Sequence, residues 1–289
     1  MFYLLFVSLL WAFSFGLIKG NLTGIDPVFV AFARILIALL VFLPFLRVRR
    51  VSRQQGLQLL AIGAVQYGLM YMCYNAAFNF LKAYEAALFT IFTPLYITLI
   101  NDGMTRRFHL FPLGMAALAV VGTGIISYNG GVSTAQWVGF GLMQLSNLCF
   151  ALGQVAYRRV MTGSTVSDGS IYGLVYLGGA LATGLAAALF TPWPDLTLSA
   201  KQVGTLIYLG AVASGVGFFL WNIGARRVNV GALAIFNNLK VPLSVLVSLL
   251  VFGETVRLPG LILGGLIVLG ALGWNEVHQH RAHDASKYI

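Results

Sequence analysis

The chain has 289 residues, 59% of them hydrophobic, and its 18 basic and 8 acidic side chains make up only 9% of it, against about 25% in soluble domains. With a mean hydropathy of +0.86 it cannot hide its apolar groups inside a water-soluble globule, which excludes a soluble enzyme and makes lipid the solvent on most sides. A net charge of +10 would suggest nucleic acid in a soluble protein, but the basic residues sit in short clusters between apolar runs, so no nucleic-acid partner is expected and orientation in a bilayer explains them.

A spanning helix needs about 20 mostly apolar residues, because the hydrocarbon core is about 30 Å thick and each helical residue rises about 1.5 Å. Ten stretches qualify: Phe2 to Ile18, Val28 to Leu46, Leu57 to Phe78, Tyr84 to Ile100, Leu110 to Tyr128, Trp137 to Arg158, Ser170 to Phe190, Val203 to Gly224, Gly231 to Phe252 and Leu258 to Trp274. The runs are long and rich in Leu, Ala and Gly, without the alternation of a barrel strand, so the expected class is an all-α membrane protein of ten transmembrane helices. The first run has no basic segment ahead of it and no small-residue cleavage pattern, and is read as retained. Basic residues accumulate in cytoplasmic loops. With the amino terminus inside, 12 basic residues fall on cytoplasmic segments and 4 on outer ones, which places both termini in the cytoplasm.

Within the spans, polar and aromatic residues mark candidate sites. Trp11 lies on the first span, and Arg34 lies in the outer third of the second, where a long side chain can reach the interface. Tyr67, Tyr71, Tyr74 and Phe78 make an aromatic face on the third, and Tyr96 and Trp221 add rings on the fourth and eighth. Lys82 and Glu85 are placed to pair at a span end. On the sixth span Gln144, Asn147, Ala151 and Gln154 follow helical spacing; amides there suit an uncharged polar group such as a urea, or bind a neighbouring helix. On the ninth, Asn237, Lys240, Ser244 and Ser248 form a second stripe. A Lys at mid-span costs about 2.5 to 3.5 kcal/mol on insertion scales. Lys240 therefore faces a wet cavity, where its ammonium can pair with a substrate carboxylate, or it hydrogen-bonds carbonyls freed by Pro242.

Cys73 and Cys149 fall within spans outside any CxxC spacing and read as packing residues. Gly260 and Gly264 form a GxxxG in the tenth span, an intramolecular contact or a homodimer face. His278, His280 and His283 read as a solvated tail, so no metal is expected. No phosphate loop, HExxH or GxSxG is present, so neither ATP hydrolysis nor a familiar intramembrane hydrolase is indicated, no cofactor is expected, and transport must run downhill or by ion coupling.

The chain also repeats itself. Tyr74-Asn75-Ala76-Ala77 resembles Trp221-Asn222-Ile223-Gly224 at an offset of 147, Pro94-Leu95 resembles Pro242-Leu243 at an offset of 148, and Pro112 and Pro259 each open the last span of a half. Two five-span halves follow, residues 1–129 and 130–276, with 277–289 as a cytoplasmic tail. Five is odd, so the second half enters the membrane from the opposite side, and an inverted repeat with a crevice at mid-membrane depth suits alternating access.

With these segments in view, the chain from Leu9-Leu10-Trp11-Ala12-Phe13-Ser14-Phe15 to the tenth span resembles the drug/metabolite transporter superfamily of ten-span carriers built from two EamA domains. Thr93-Pro94-Leu95-Tyr96-Ile97-Thr98-Leu99-Ile100, Gln144-Leu145-Ser146-Asn147, Ala213-Ser214-Gly215-Val216-Gly217 and Asn237-Asn238 are more specifically similar to its carboxylate/amino acid/amine transporter family. The resemblance implies uptake of biotin or a similar carboxylated metabolite across the bacterial inner membrane, or, on the same fold, export of amino acids or drug-like metabolites. A non-transporting receptor is the third reading, favoured only if the polar stripes leave no crevice. The residues expected to bind substrate are Lys240, Asn237, Asn147, Gln144, Tyr74, Asn75, Tyr96, Trp221, Trp11 and Ser14, with hinges at Pro94 and Pro242.

Overall fold

A computed structural model describes residues 2–48, 51–105, 133–164, 166–228, 230–254 and 258–285, with positions 114, 115, 118, 121, 122 and 125. The described residues are helical and contain no strand. Among the described residues, seven helices are long and apolar enough to cross a membrane: α1 (Phe2–Leu22), α2 (Pro27–Phe45), α3 (Arg53–Ala77), α4 (Ala83–Met104), α5 (Thr134–Met161), α6 (Asp168–Phe190) and α7 (Ala200–Arg226). Two more, α8 (Val230–Leu250) and α9 (Leu258–Ala285), carry the shorter apolar stretches Leu239–Leu250 and Ile262–Ala271. The expected span from Leu110 to Tyr128, with Pro112, lies almost wholly outside the described residues.

Several helices start a turn earlier than hydropathy suggests, because capping residues set their ends. The Asp26 carboxylate accepts the Phe29 N–H at 2.8 Å ahead of Pro27, and the Ser52 hydroxyl accepts that of Gln55 at 3.2 Å. Ser133 with Gln136 and Ser199 with Gln202 form reciprocal capping boxes. Each supplies an acceptor to an N–H that the first turn leaves open, a contribution of about 1 kcal/mol.

Leu181, Leu185 and Leu189 lie exposed at four-residue spacing along α6, a stripe that only lipid covers without cost. Inward, the pattern reverses: Ser8, Arg34, Gln66, Asn75, Asn147, Asn222, Asn237, Lys240, Ser244 and Ser248 are all buried. Apolar outside and polar inside is the arrangement of a multi-pass membrane protein built around a polar interior.

α1 packs against α7 and α8, α2 against α6 and α7, α3 against α5 and α6, and α4 against α5 and α8. Where α3 meets α6 the backbones nearly touch. A Cβ on Gly63 would sit 1.8 Å from the Val175 carbonyl oxygen, and one on Gly178 would sit 2.0 Å from that of Leu60. Small residues permit this approach, the usual means by which helices associate without a hydrophobic force between them.

Several helices that build the interior are irregular, and α1 ends in a π-helical turn over Ile18–Leu22. α3 is π-helical over Ala64–Leu69 and α7 over Tyr208–Val216, while α4 tightens to a 3-10 turn over Thr90–Phe92 just before Pro94. Irregular backbone in a span is tolerated where protein or a cavity, rather than lipid, meets it.

Candidate functional site

These helices line a partly open cavity whose empty space, its mouth included, is about 540 Å³. α1 contributes Trp11, Ser14 and Phe15 to its wall, α2 contributes Arg34, and α3 contributes Met70, Tyr71 and Tyr74. Thr90 and Thr93 come from α4, Ser146, Asn147 and Phe150 from α5, Phe218 from α7 and Lys240 from α8.

Lys240 is 7% exposed. Its Nζ donates to Asn237 Oδ1 at 3.2 Å and lies 5.3 Å from the centre of the Trp11 ring. Pro242 follows inside the same helix, and the Ser244 hydroxyl donates to the Lys240 carbonyl at 2.6 Å. Trp11 is fixed by its own Nε1, which donates to the Ala213 carbonyl at 3.0 Å, and its ring stands 5.0 Å from Trp221 and 4.7 Å from Phe218. Phe15, Tyr74 and Tyr71 continue the aromatic wall through edge contacts at about 6 Å.

The amide side follows from the break in α4. Pro94 has no N–H for the Thr90 carbonyl, which instead accepts the Thr93 hydroxyl at 2.7 Å. The Phe89 carbonyl, at the head of the 3-10 turn, accepts Asn147 Nδ2 at 2.7 Å and Gln144 Nε2 at 3.3 Å. Thr93 also donates to Asn147 Oδ1 at 3.3 Å, and the Tyr96 hydroxyl donates to Gln144 Oε1 at 3.2 Å. Asn147 is thereby held at the cavity edge by the backbone and the Thr93 hydroxyl of α4.

Of the residues singled out from sequence, Lys240, Asn147, Tyr74, Trp11 and Ser14 line this cavity. Asn237, Gln144, Asn75, Tyr96 and Trp221 do not: each stands behind it, Asn237 on Lys240, Gln144 on Asn147, Tyr96 on Gln144, Trp221 on Trp11, and Asn75 on Arg34. Gln154 is buried with neither amide atom partnered. Cys73 and Cys149 are buried and free. Glu85 caps the Lys82 N–H at 2.9 Å and accepts Gln136 Nε2 at 3.1 Å.

Arg34 corrects the expectation that it reaches the interface. It is 2% exposed and lines the cavity. Its Nη1 donates to Asn75 Oδ1 at 3.2 Å, its Nη2 to the Tyr71 hydroxyl at 3.0 Å, and its Nε and Nη2 both reach the Ser214 hydroxyl, at 3.3 and 3.2 Å. The guanidinium also lies 4.2 Å from the Tyr71 ring centre. Thr90, Thr93, Ser146, Phe150 and Phe218 were missed as well. Thr90 and Thr93, three apart ahead of Pro94, were the readable signal, since hydroxyls there can serve the carbonyls that a proline orphans.

A second polar knot answers the first. The Tyr172 hydroxyl contacts that of Tyr67 at 2.5 Å, accepts from Asn222 Nδ2 and donates to the Phe218 carbonyl at 3.2 Å. Asn75 and Asn222 stand 147 positions apart, and so do Tyr67 and Ser214. Arg34 on α2 thus joins Asn75 to Ser214 as Tyr172 on α6 joins Asn222 to Tyr67.

Residues 1–128 and 137–275 match the family described as EamA-like transporter family. The chain is 41% identical over 272 residues to a protein of Escherichia coli K12 named biotin transporter, covering 93% of this chain and 90% of that one. It is 40% identical over 279 residues to a protein of Pseudomonas aeruginosa named probable biotin transporter, covering 95% and 97%. A biotin transporter of Salmonella typhimurium matches at 40% over 271 residues, covering 93% and 90%. A solved crystal structure shares the fold with a TM-score of 0.68 at 19% identity, over 94% of both chains.

Proposed function

The chain belongs to the EamA-like transporter family, and from that premise we propose that it is a secondary carrier taking up biotin, or a small carboxylate closely like it, across the bacterial inner membrane by alternating access. The observation that carries the reading is the Lys240 amine in the wall of a cavity whose other cation, Arg34, is fully hydrogen-bonded and whose remaining lining is aromatic, hydroxyl and amide, in a chain about two-fifths identical to proteins named biotin transporters. Biotin carries a carboxylate, a ureido ring and an apolar thioether ring with its chain. Lys240 takes the carboxylate, Asn147 with Ser146 and Thr93 offers donors and acceptors to the ureido group, and Trp11, Phe15, Tyr74, Phe150 and Phe218 enclose the apolar part. Asn237 orients the ammonium, and Gln144, Tyr96, Asn75 and Trp221 hold the wall from behind.

The chain is organised as ten spans in two inverted halves, residues 1–129 and 130–276, with both termini in the cytoplasm. Support comes from the paired knots of Arg34 and Tyr172, the π-helical stretches in α3 and α7, and Pro94 and Pro242 in corresponding spans. The two ends of the cavity are tied differently. At one end the Lys19 ammonium donates to the Phe78 carbonyl at 2.7 Å, and both oxygens of Glu254 accept the Ala83 and Tyr84 N–H groups at 2.8 and 3.0 Å. At the other, Gln55 Nε2 donates to the Ser164 hydroxyl at 3.3 Å, beyond the Tyr67, Tyr172 and Asn222 knot. Alternating access releases one set while the other holds, with Pro94 and Pro242 as hinges.

Uptake of radiolabelled biotin into proteoliposomes tests the reading. Wild type accumulates biotin, and Lys240→Met loses at least tenfold in kcat/KM, the loss of one charge-assisted pair of about 1.5 to 3 kcal/mol. Unchanged uptake by the variant overturns the carboxylate assignment. Absence of biotin uptake by wild type, with efflux of preloaded amino acids, points to the exporter reading.

A further inference from the structure

Among the described residues two cations line the cavity, Arg34 and Lys240, and no carboxylate does. They are held differently. All three guanidinium nitrogens of Arg34 have acceptors and an aromatic face, whereas the three donors of Lys240 meet one acceptor at 3.2 Å and the Trp11 ring. Lys240 is the only charged residue of α8. Of the helices packed on α8, α1 presents Trp11 and Ser14, with Tyr3 and Lys19 each eight residues away from Trp11 along the chain. α4 presents Thr90 and Thr93; its titratable groups are Tyr84 and Glu85 before them and Tyr96 and Asp102 after. The described side chains of α9 include none that ionise. Across the cavity stand Arg34, Tyr71 and Tyr74. The described acids near the cavity ends are engaged elsewhere, Glu254 on the Ala83 and Tyr84 N–H groups, Glu85 on Lys82 N–H and Gln136, and Asp168 on Arg226.

A buried ammonium that shares its cavity with a second cation, with no anion among the described residues to balance it, is costly to hold through a transport cycle. Resting on the carboxylate reading above, we infer that Lys240 is the proton carrier of this transporter: its amine takes up one proton with each carboxylate and gives it back when the carboxylate leaves. The balance closes. Outside, the free amine accepts a proton from water as the substrate anion binds, giving an ammonium–carboxylate pair of zero net charge. Inside, the anion departs, the ammonium returns its proton to water, and the carrier reorients with a neutral amine. Each turn moves one proton and one carboxylate and no net charge. The coupling has a physical advantage, because a potential negative inside opposes accumulation of a lone anion by roughly tenfold or more at ordinary resting values, and a co-transported proton cancels that opposition.

The intact purified carrier tests this by calorimetric titration with biotin in two buffers of different ionisation enthalpy. About one proton is taken up per biotin bound, and in proteoliposomes a lumenal pH dye reports one proton entering per biotin, with an initial rate indifferent to an imposed potential. Lys240→Arg, which keeps its charge at all times, binds without proton uptake and makes uptake depend on the potential. Should that variant fail to fold, the wild-type titration decides alone. Biotin binding by wild type without proton uptake overturns the inference and leaves the substrate reading standing. No biotin binding by folded wild type removes both.

Discussion

Arg34 shows how one side chain can hold a cavity wall that spans both halves of the chain. Its planar fork meets Asn75 and Tyr71 on α3 and Ser214 on α7 at the same time, a geometry that the single nitrogen of a lysine cannot reproduce. Arg34→Lys therefore leaves at least one of these buried groups unpaired, at about 1 to 3 kcal/mol each. In the uptake assay its KM for biotin rises about tenfold or more, and the melting temperature of the solubilised protein falls with it; unchanged values for both would show the fork to be dispensable. Sequence alone misplaced this residue because depth was judged from its position along one span, while its partners are 41, 37 and 180 positions away. Lys240 was legible where Arg34 was not, since Asn237, Ser244 and Ser248 accompany it at helical spacing on its own helix. The stripe on α5 was legible only in part. Asn147 reaches the cavity, but Gln144 bonds the Phe89 carbonyl of the neighbouring α4, a partner that no pattern on α5 could announce.

Among the helices, hydropathy marks where a span runs but not how its backbone is wound. α3 was expected from Leu57 to Phe78 and occupies Arg53–Ala77, yet its π-helical stretch Ala64–Leu69 has no apolar signature, because slipping a hydrogen bond by one residue leaves composition unchanged. The glycines carry more information. Gly63 and Gly178 let α3 and α6 meet backbone to backbone, and a Cβ at Gly178 would lie 2.0 Å from the Leu60 oxygen and 2.7 Å from its carbonyl carbon. Backbone there cannot step aside as a side-chain tip would. Gly178→Ala should cost about 1 to 3 kcal/mol through forced separation of the two helices. Gly204→Ala on α7, where a Cβ meets nothing within 4 Å, should be neutral or slightly stabilising. Thermal unfolding of the two purified variants in one detergent separates them, and equal melting temperatures would mean that the close approach carries no weight.

For the whole molecule, the decisive question is whether the halves move against each other. The hydrogen bond from Gln55 to Ser164 lies at the end of the bundle where α3 begins and α5 has just ended, and the two residues belong to different halves of the proposed repeat. Near the opposite end the Glu254 carboxylate clasps the first N–H groups of α4. A rocking carrier must break each of these ties in turn, so a covalent tie at one should arrest it whichever face it closes. The pair Gln55→Cys and Ser164→Cys places two thiols within reach of a short bifunctional maleimide, since the native side chains touch at 3.3 Å. Cys73 and Cys149 are buried, so they offer little competing reaction. Cross-linking should abolish biotin uptake in the double variant, while each single variant treated alike retains it. Biotin binding should survive the cross-link, because the cavity wall from Trp11 to Lys240 is not touched by it. Uptake that persists in fully cross-linked protein would mean that the path opens without separation of α3 from the loop after α5, and that substrate moves by local side-chain gating within an otherwise fixed bundle.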